Sequence, residues 1–229
     1  IVSEFPVSHA DCAQSPWNEL ACAIAKFYRS PGPHRAAGSA LLLAAADALA
    51  LRGAADLARA RGAALAVRRF LPRCVQATGK GPAARIAHCF AAVEPSADWL
   101  QNSAYDDASM GSGWLDNYGY IELLGPQRVF DSQTHRVGFL LIGPHRHYRD
   151  HIHPAEENYH IISGSAEWWT EATGWRVQAP CAAIHHAPGV RHATRTRDEP
   201  LLALYCWGGD IAPAARLTSV AGRSTTDHG

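Results

Sequence analysis

The chain has 229 residues, which is enough for one large domain or for one domain with a helical extension. Apolar residues make up 47% of it, so a disordered chain is excluded and a sizeable core can be buried. Its 21 lysines and arginines balance 21 aspartates and glutamates without forming a basic stripe, so we expect no nucleic-acid partner.

The chain shows no obvious membrane or export signal. Its most apolar stretch, residues 36–50, carries Asp47 and is too short and too weakly hydrophobic to span a bilayer, so we expect no membrane partner. The N-terminal residues lack the basic segment of a signal peptide. The six cysteines are scattered without a CxxC pair, which favours mostly free, buried thiols in a reducing compartment. Together these features predict a cytoplasmic location.

Residues 1–110 are predicted to be helical. Ser15 before Pro16 is typical of a helix start, since serine caps the first turn and proline suits the first helical position. Apolar residues then recur at helical spacing until the Ser-Pro-Gly-Pro run at 30–33 ends the helix. Further helices are predicted at 36–52, at 54–70 with an end near Pro72, and around 82–90.

Residues 111–212 are predicted to form strands. Glycine, proline, Asp and Asn separate short runs that are rich in aromatic and branched residues. This pattern is typical of a sandwich or barrel, whereas the polar residues 213–229 are predicted to form a loose tail. The predicted strands are 118–124, 137–142, 150–153, 159–163, 166–170, 175–178, 182–185, 192–196 and 201–207.

Histidines and a glutamate are concentrated in the centre of the strand region. Alternate residues of a strand face the same side, so His151 and His153 share a face. After a turn at Pro154, Glu157 and Tyr159 share a face on the next strand. Two imidazoles and a carboxylate can then converge on a divalent metal with borderline preferences, such as Fe, Mn, Ni or Zn.

A fourth ligand is expected from a later strand. The Pro-Gly turn at 188–189 places His192 at the start of a strand, so we predict His192 as the remaining ligand. Other histidines nearby are more often structural, or contact the ligands from outside. These are His145, His147, His160, His185 and His186.

These residues resemble the two motifs of the cupin family. The stretch from His151 through His153 and Glu157 to Gly164 resembles the first motif, and the stretch from Pro188 to His192 resembles the second. The glycine that usually leads the first motif and the asparagine that usually trails the second are absent. The resemblance implies an α+β protein, in which an N-terminal helical region precedes a C-terminal cupin barrel, a double-stranded β-helix.

A narrower resemblance is to the cupin-type dimethylsulfoniopropionate lyases, in particular the DddL and DddQ groups. It rests on Tyr148, on Tyr159 two residues beyond Glu157, and on the aromatic pair Trp168 and Trp169 after a Ser-Gly turn. It implies a carbon–sulfur lyase that converts a sulfonium substrate into dimethyl sulfide and acrylate. One divalent ion (Zn, Mn, Fe, Ni or Co) is implied as cofactor, and pairing into a homodimer is common among cupins.

The reaction that the resemblance implies needs a base beside a metal-bound carboxylate. Tyr159 shares a strand face with Glu157 and is the first candidate, with Tyr148 as a second base or a hydrogen-bond donor. The alternative is a tyrosine that only packs in the interior. A nearby dication favours the phenolate over the neutral phenol, whose ordinary pKa is about 10.

The sulfonium end of the substrate suits aromatic faces, because it attracts the π system and needs no hydrogen bonds. Tyr205 and Trp207 share one strand face, whereas Trp168 and Trp169 face opposite ways, so only one of that pair can point inward. Two other interpretations remain open at this point. One is another metal-dependent cupin enzyme, such as a dioxygenase or a sugar isomerase, and the other is a binding cupin without catalysis.

Overall fold

The structure, a computed structural model, describes residues 15–32, 38–50 and 64–218 of the chain. Within these residues the N-terminal part is helical, as the sequence predicts. The α-helices are α1 (Pro16–Arg29), α2 (Ser39–Ala50), α3 (Leu71–Gln76), α4 (Pro82–Val93) and α5 (Asp107–Met110). Short 3-10 helices cover Ala66–Phe70, Glu94–Ser96 and Leu115–Asn117.

Helix α1 begins and ends where the sequence predicts. The Ser15 hydroxyl accepts a hydrogen bond from the backbone N–H of Asn18 at 3.2 Å, and Pro16 occupies the first turn. At the other end, the Ser30 hydroxyl donates to the carbonyl of Phe27 at 2.8 Å. Both termini therefore have polar partners supplied by the local sequence.

Two further helix predictions are confirmed, since 36–52 contains α2 and 82–90 lies within α4. The prediction for 54–70 is different. Its residues 54–63 lie outside the described part of the chain, and its end near Pro72 is wrong. Pro72 stands in the first turn of α3, where the N–H that proline lacks would have no partner within the helix.

The strand region forms two sheets, and the mixed α+β class is confirmed. The six-stranded sheet has the order β2-β1-β3-β10-β5-β8, and the five-stranded sheet has the order β11-β4-β9-β6-β7. Each predicted strand is present, with β2 and β11 in addition. The strands are β1 (Tyr118–Gly125), β2 (Phe130–Asp131), β3 (His135–Ile142), β4 (His147–Ile152), β5 (Glu156–Ser163), β6 (Ala166–Thr170), β7 (Gly174–Gln178), β8 (Ala183–His186), β9 (His192–Thr196), β10 (Leu201–Gly208) and β11 (Arg216–Leu217).

Both faces of the six-stranded sheet are buried. Its outer face packs against α1, α2 and α4 in an apolar core that includes Ile24, Leu42, Phe90 and Phe139. Its inner face meets the five-stranded sheet in a second cluster, which is rich in tyrosine. Successive residues of a strand face opposite sides of the sheet. Apolar side chains therefore lie under the helices, and aromatic side chains line the barrel interior.

The Ser-Gly turn after β5 forms as predicted. Gly164 has a φ of +81°, a left-handed conformation that favours glycine. A Cβ atom at this position would lie 2.1 Å from the carbonyl oxygen of Pro200. The close approach of these two segments therefore requires glycine here.

The prediction of a loose tail is wrong for residues 213–218. Strand β11 pairs with β4, and the Thr218 N–H donates to the carbonyl of Asp150 at 3.1 Å. The side-chain amide of Asn102 donates to the carbonyl of Ala215 at 2.7 Å. Polar composition suggested a free tail, but backbone pairing requires no apolar side chains. Residues 219–229 lie outside the described part.

The cysteines differ in part from the prediction. Cys74, Cys89, Cys181 and Cys206 are free, although Cys181 is exposed. Cys22 is disulfide-bonded, so it is not one of the free thiols that the sequence predicts. None of the helices within the described residues combines the length and the apolar character that crossing a bilayer requires.

Candidate metal centre and active-site cavity

Three side chains from different strands converge at the centre of the barrel. His153 follows β4, Glu157 lies near the start of β5 and His192 begins β9, and each is at most 3% exposed. The Nε2 atoms of His153 and His192 both lie 3.2 Å from Oε2 of Glu157. If two ligand atoms each lie about 2.1 Å from one metal ion, and the ligand–metal–ligand angle is between about 90° and 109°, the two atoms are about 3.0–3.4 Å apart. His153, Glu157 and His192, which we call the ligand group, therefore have the spacing of a metal site.

Backbone carbonyls orient the imidazoles of this group. Nδ1 of His153 donates to the carbonyl of Ala155 at 3.0 Å, and Nδ1 of His192 donates to that of Val190 at 2.9 Å. In the neutral imidazole, this leaves Nε2 as an unprotonated acceptor. Both Nε2 lone pairs then face a carboxylate oxygen, an arrangement that a cation between them would stabilise. The residues present therefore fit a divalent metal ion.

The ionisation of Glu157 agrees with such a site. Burial by itself raises the pKa of this carboxyl group. The neighbouring imidazoles of His153, His186 and His192 outweigh burial, so the pKa of Glu157 lies well below the usual range. Glu157 is therefore an anion in the barrel interior, as a metal ligand must be.

His151, the other predicted ligand, lies beside the group of three. Its ring centroid is 4.1 Å from that of His192 and 6.3 Å from that of His153. Its Nδ1 donates to the carbonyl of Arg149 at 2.8 Å, which again leaves Nε2 unprotonated. Burial, followed by the neighbouring His192, holds the pKa of His151 well below its usual value, so this imidazole is neutral.

Glu157, one of the three side chains of the ligand group, lines a cavity of about 220 Å³. This volume is below the roughly 300–1,000 Å³ of pockets for drug-sized ligands, so the cavity suits a small substrate. Apart from Glu157, its wall is mainly aromatic on the barrel side. The aromatic lining consists of Tyr118, Tyr120, Tyr148, Tyr159, Tyr205 and Trp207.

Tyr159 lines this cavity two residues beyond Glu157 on β5. It is 6% exposed, and its ring packs at 4.8 Å from that of Trp168. Burial raises the pKa of Tyr159 well above its usual value, and the Glu157 carboxylate raises it further. Ionisation of this phenol therefore requires a positive charge close by.

Tyr148 reaches the cavity because of an irregularity in β4. Tyr148 pairs with Thr194, and His151 pairs with His192. The two β4 residues are three positions apart but their partners on β9 are only two apart, so β4 contains one extra residue. In a regular strand, positions 148 and 151 would face opposite sides. The extra residue of this β-bulge brings both inside, where their rings stack at 4.1 Å with an interplanar angle of 10°.

Trp207 contacts the ligand group directly. It pairs with Glu157 across β10 and β5, and its indole N–H donates to Oε1 of Glu157 at 2.5 Å. Its ring also stacks on His153 at 4.2 Å. Sequence reasoning identified Trp207 only as a contact for the substrate cation. The hydrogen bond to Glu157 depends on the register of two strands that are 50 positions apart, which no local pattern reveals.

The other three aromatic residues that were predicted to contact the substrate cation lie in three different places. Tyr205 lines the cavity, and its hydroxyl donates to Oε2 of Glu122 at 3.4 Å. Trp168 is buried inside the barrel against Tyr159 but is not part of the cavity wall. Trp169 lies on the outer face, where it packs near Trp175 and under Arg191, so it does not line the cavity.

A buried ion-pair cluster on the far wall was not predicted. The Glu122 carboxylate accepts hydrogen bonds from Arg128 at 2.9 Å and from Arg136 at 2.8 Å. Arg136 also donates to the carbonyl of Ile211 at 3.1 Å. The segment 209–215, which we call the strap, follows β10 and lines the cavity through residues 211–215. Arg136 and Asn102 thus hold the strap at two of its carbonyls.

Comparison with known proteins agrees with this architecture. Residues 44–203 match the family model described as dimethylsulfoniopropionate lyase. The chain is 33% identical over 135 residues to dimethylsulfoniopropionate lyase DddQ of Ruegeria pomeroyi, which is 59% of this chain and 66% of that protein. The aligned region is thus slightly less than two thirds of that relative's length.

Two solved structures extend the similarity to most of the fold. The crystal structure of the lyase DddQ from Ruegeria pomeroyi matches with a TM-score of 0.71 and 24% identity, covering 91% of this chain and 98% of that one. A chain from crystal structures of the lyases RdDddP and RnDddQII matches with a TM-score of 0.64 and 27% identity. That match covers 81% of this chain and 99% of the other.

Proposed function

The chain belongs to the dimethylsulfoniopropionate lyase family, and we propose that it cleaves dimethylsulfoniopropionate into dimethyl sulfide and acrylate by β-elimination. The observation that carries this proposal is that Tyr159 lines the same small cavity as Glu157, which belongs to the buried group with His153 and His192. A base and a site for the substrate carboxylate are thereby available to the same small molecule.

We propose that His153, Glu157 and His192 hold a divalent metal ion, with His151 as the nearest further imidazole. The mixture of imidazole nitrogen and carboxylate oxygen suits Zn, Mn, Fe, Ni or Co. When bound, such an ion would act as a Lewis acid towards the substrate carboxylate and lower the energy of the developing enolate.

Tyr159 is the proposed base. Its phenolate takes the proton α to the carboxylate, the electron pair left on carbon forms the double bond of acrylate, and the carbon–sulfur bond breaks. That bonding pair leaves with sulfur, so the sulfonium departs as neutral dimethyl sulfide. Burial and Glu157 oppose ionisation of Tyr159. The positive charge expected at the ligand group favours it, so base strength and metal binding are linked.

The aromatic wall supports a cation at the other end of the substrate. Tyr205 and Trp207 face the cavity from the same strand, and Tyr120 packs edge to face with Tyr205 at 6.4 Å. Aromatic faces attract a sulfonium with about 0.5–2 kcal/mol per contact. We propose that Tyr205 and Trp207 bind the dimethylsulfonium group, with Trp168 supporting Tyr159 from behind.

The proposal is tested by incubating the purified protein with dimethylsulfoniopropionate and measuring dimethyl sulfide in the headspace. We expect activity that a chelator abolishes and that persists without oxygen, which separates a lyase from an oxygen-dependent cupin enzyme. His153→Ala should lose most bound metal and most activity. His147→Ala, on the exposed side of β4, is the matched control and should retain both. Full metal content in His153→Ala, measured by elemental analysis, would contradict the assigned site.

A further inference from the structure

Glu157 is flanked by N–H donors on both neighbouring strands. Strand β5 lies between β10 and β8, and the register places Trp207 on one side of Glu157 and His186 on the other. Trp207 donates to Oε1 at 2.5 Å, and Nδ1 of His186 lies 3.3 Å from Oε2. Each carboxylate oxygen therefore has its own contact outside the ligand group.

His186 has a second contact with the same group. Its ring stacks on that of His192 with centroids 3.9 Å apart and an interplanar angle of 21°. The residue is 2% exposed, so it has no access to bulk water. It touches two of the three central side chains, although it is not one of the atoms that converge with them.

The protonation pattern of His186 follows from its contacts. A neutral imidazole carries one N–H, and a carboxylate oxygen can only accept, so the proton belongs on Nδ1. Nε2 then carries a lone pair, and it has no hydrogen-bond partner within the described part of the chain. The hydrogen bond to Glu157 is thus the single polar contact that orients this buried ring among the described residues.

We propose that His186 is a positioning residue for the metal centre, whose Nδ1–H holds Oε2 of Glu157. This inference rests on the proposed metal site but not on the lyase reaction. A carboxylate that must be immobilised during binding lowers affinity, because the ordering opposes the gain from coordination. A carboxylate already fixed by one donor on each oxygen avoids that loss.

Two substitutions separate the donor from the ring. His186→Phe keeps a flat ring that can stack on His192 but removes the N–H. His186→Asn loses the ring, but its side-chain amide nitrogen can stand close to the place of Nδ1. The apoprotein of each variant, prepared with a chelator, is titrated with Zn(II) against a chromophoric competitor in the absence of substrate. We expect about 10- to 100-fold weaker binding for His186→Phe, the usual scale for such contacts, and recovery of most of that loss in His186→Asn.

His185→Phe is the matched control. It lies on the same strand with its side chain on the other face, where it pairs with Glu156 at 2.8 Å. It should bind Zn(II) as tightly as the wild type. The melting temperature of the apoprotein shows whether His186→Phe folds. If it does not fold, His186→Gln is used instead, because the glutamine amide lies near the place of Nε2 and does not supply the donor at Nδ1.

Wild-type affinity in His186→Phe would overturn the proposal, as would equal losses in the Phe and Asn variants. An equal loss in His185→Phe would also overturn it by showing a general effect on the strand. A wild-type protein that binds no Zn(II) would overturn the metal site itself. Tight binding without dimethyl sulfide production would leave this inference standing and reject the proposed reaction.

Discussion

At the scale of single residues, the two-residue spacing between Glu157 and Tyr159 is the central feature. Both side chains lie inside the barrel because they are two positions apart on β5. The same spacing creates an electrostatic conflict, because the carboxylate raises the pKa of the phenol beside it. A cation held by Glu157 would relieve the conflict, so the proposed base would be strong only with the metal bound.

Tyr159→Phe tests this residue. The change removes one oxygen and keeps the ring, so we expect intact fold and metal content with kcat lowered by about 100-fold or more. Tyr120→Phe, which changes a phenol on the same cavity wall, should have only a small effect on kcat. If Tyr159→Phe keeps near-normal turnover while Tyr148→Phe loses it, Tyr148 is the base.

At the scale of elements, the strap closes one side of the cavity, and β11 follows it. Side chains of Arg136, Asn102 and Tyr105 donate to carbonyls of the strap, whereas β11 is held by pairing with β4 and by the bonds between Thr218 and Asp150. Thr218 is the last of these attachments, with its N–H and its hydroxyl both bonded to Asp150. A segment fixed by few hydrogen bonds opens locally at less cost than the strands beneath it.

Thr218→Val tests how β11, which follows the strap, is held. The substitution keeps the shape and removes the hydroxyl, and one hydrogen bond is worth about 0.5–1.5 kcal/mol. We expect amide hydrogen exchange in β11 to become about 2- to 10-fold faster, with metal content unchanged. Thr173→Val, in the turn after β6, also loses a hydroxyl hydrogen bond and serves as the control. Exchange that rises equally throughout the chain would argue against a local role.

At the scale of the whole molecule, the ligand group joins the two sheets. Glu157 belongs to the six-stranded sheet and His192 to the five-stranded sheet, while His153 follows a strand of the latter. A metal ion at this point would bind the folded barrel and not the unfolded chain. Metal binding is therefore linked to the free energy of unfolding.

Removal of the metal should accordingly lower the melting temperature. At a free metal concentration 100-fold above Kd, binding stabilises the fold by about 2.7 kcal/mol. For a chain of this size, that corresponds to a decrease of roughly 5–11 °C when a chelator is added. His192→Ala should melt at the same temperature with and without chelator. A wild-type melting temperature that the chelator leaves unchanged would contradict metal binding.

Much of the fold and part of the site could be predicted because the relevant signals are local. Strand periodicity placed Glu157 and Tyr159 on one face, and the Pro-Gly turn placed His192 at the start of β9. Caps and glycine turns marked where elements begin and end, as at Ser15 and Gly164. The division of the chain into 1–110, 111–212 and 213–229 stays a prediction.

What the tertiary structure alone decided depends on residues that are distant in sequence. The bulge in β4 brings Tyr148 inside, against the parity of a regular strand. The register of β10 and β8 places Trp207 and His186 on either side of Glu157, and Arg136, paired with Glu122, holds the strap at the carbonyl of Ile211. The amino-acid sequence by itself determined which side chains can bind a metal or remove a proton. Strand register determined how those side chains are held, because it arises from pairing between segments whose local patterns carry no information about each other.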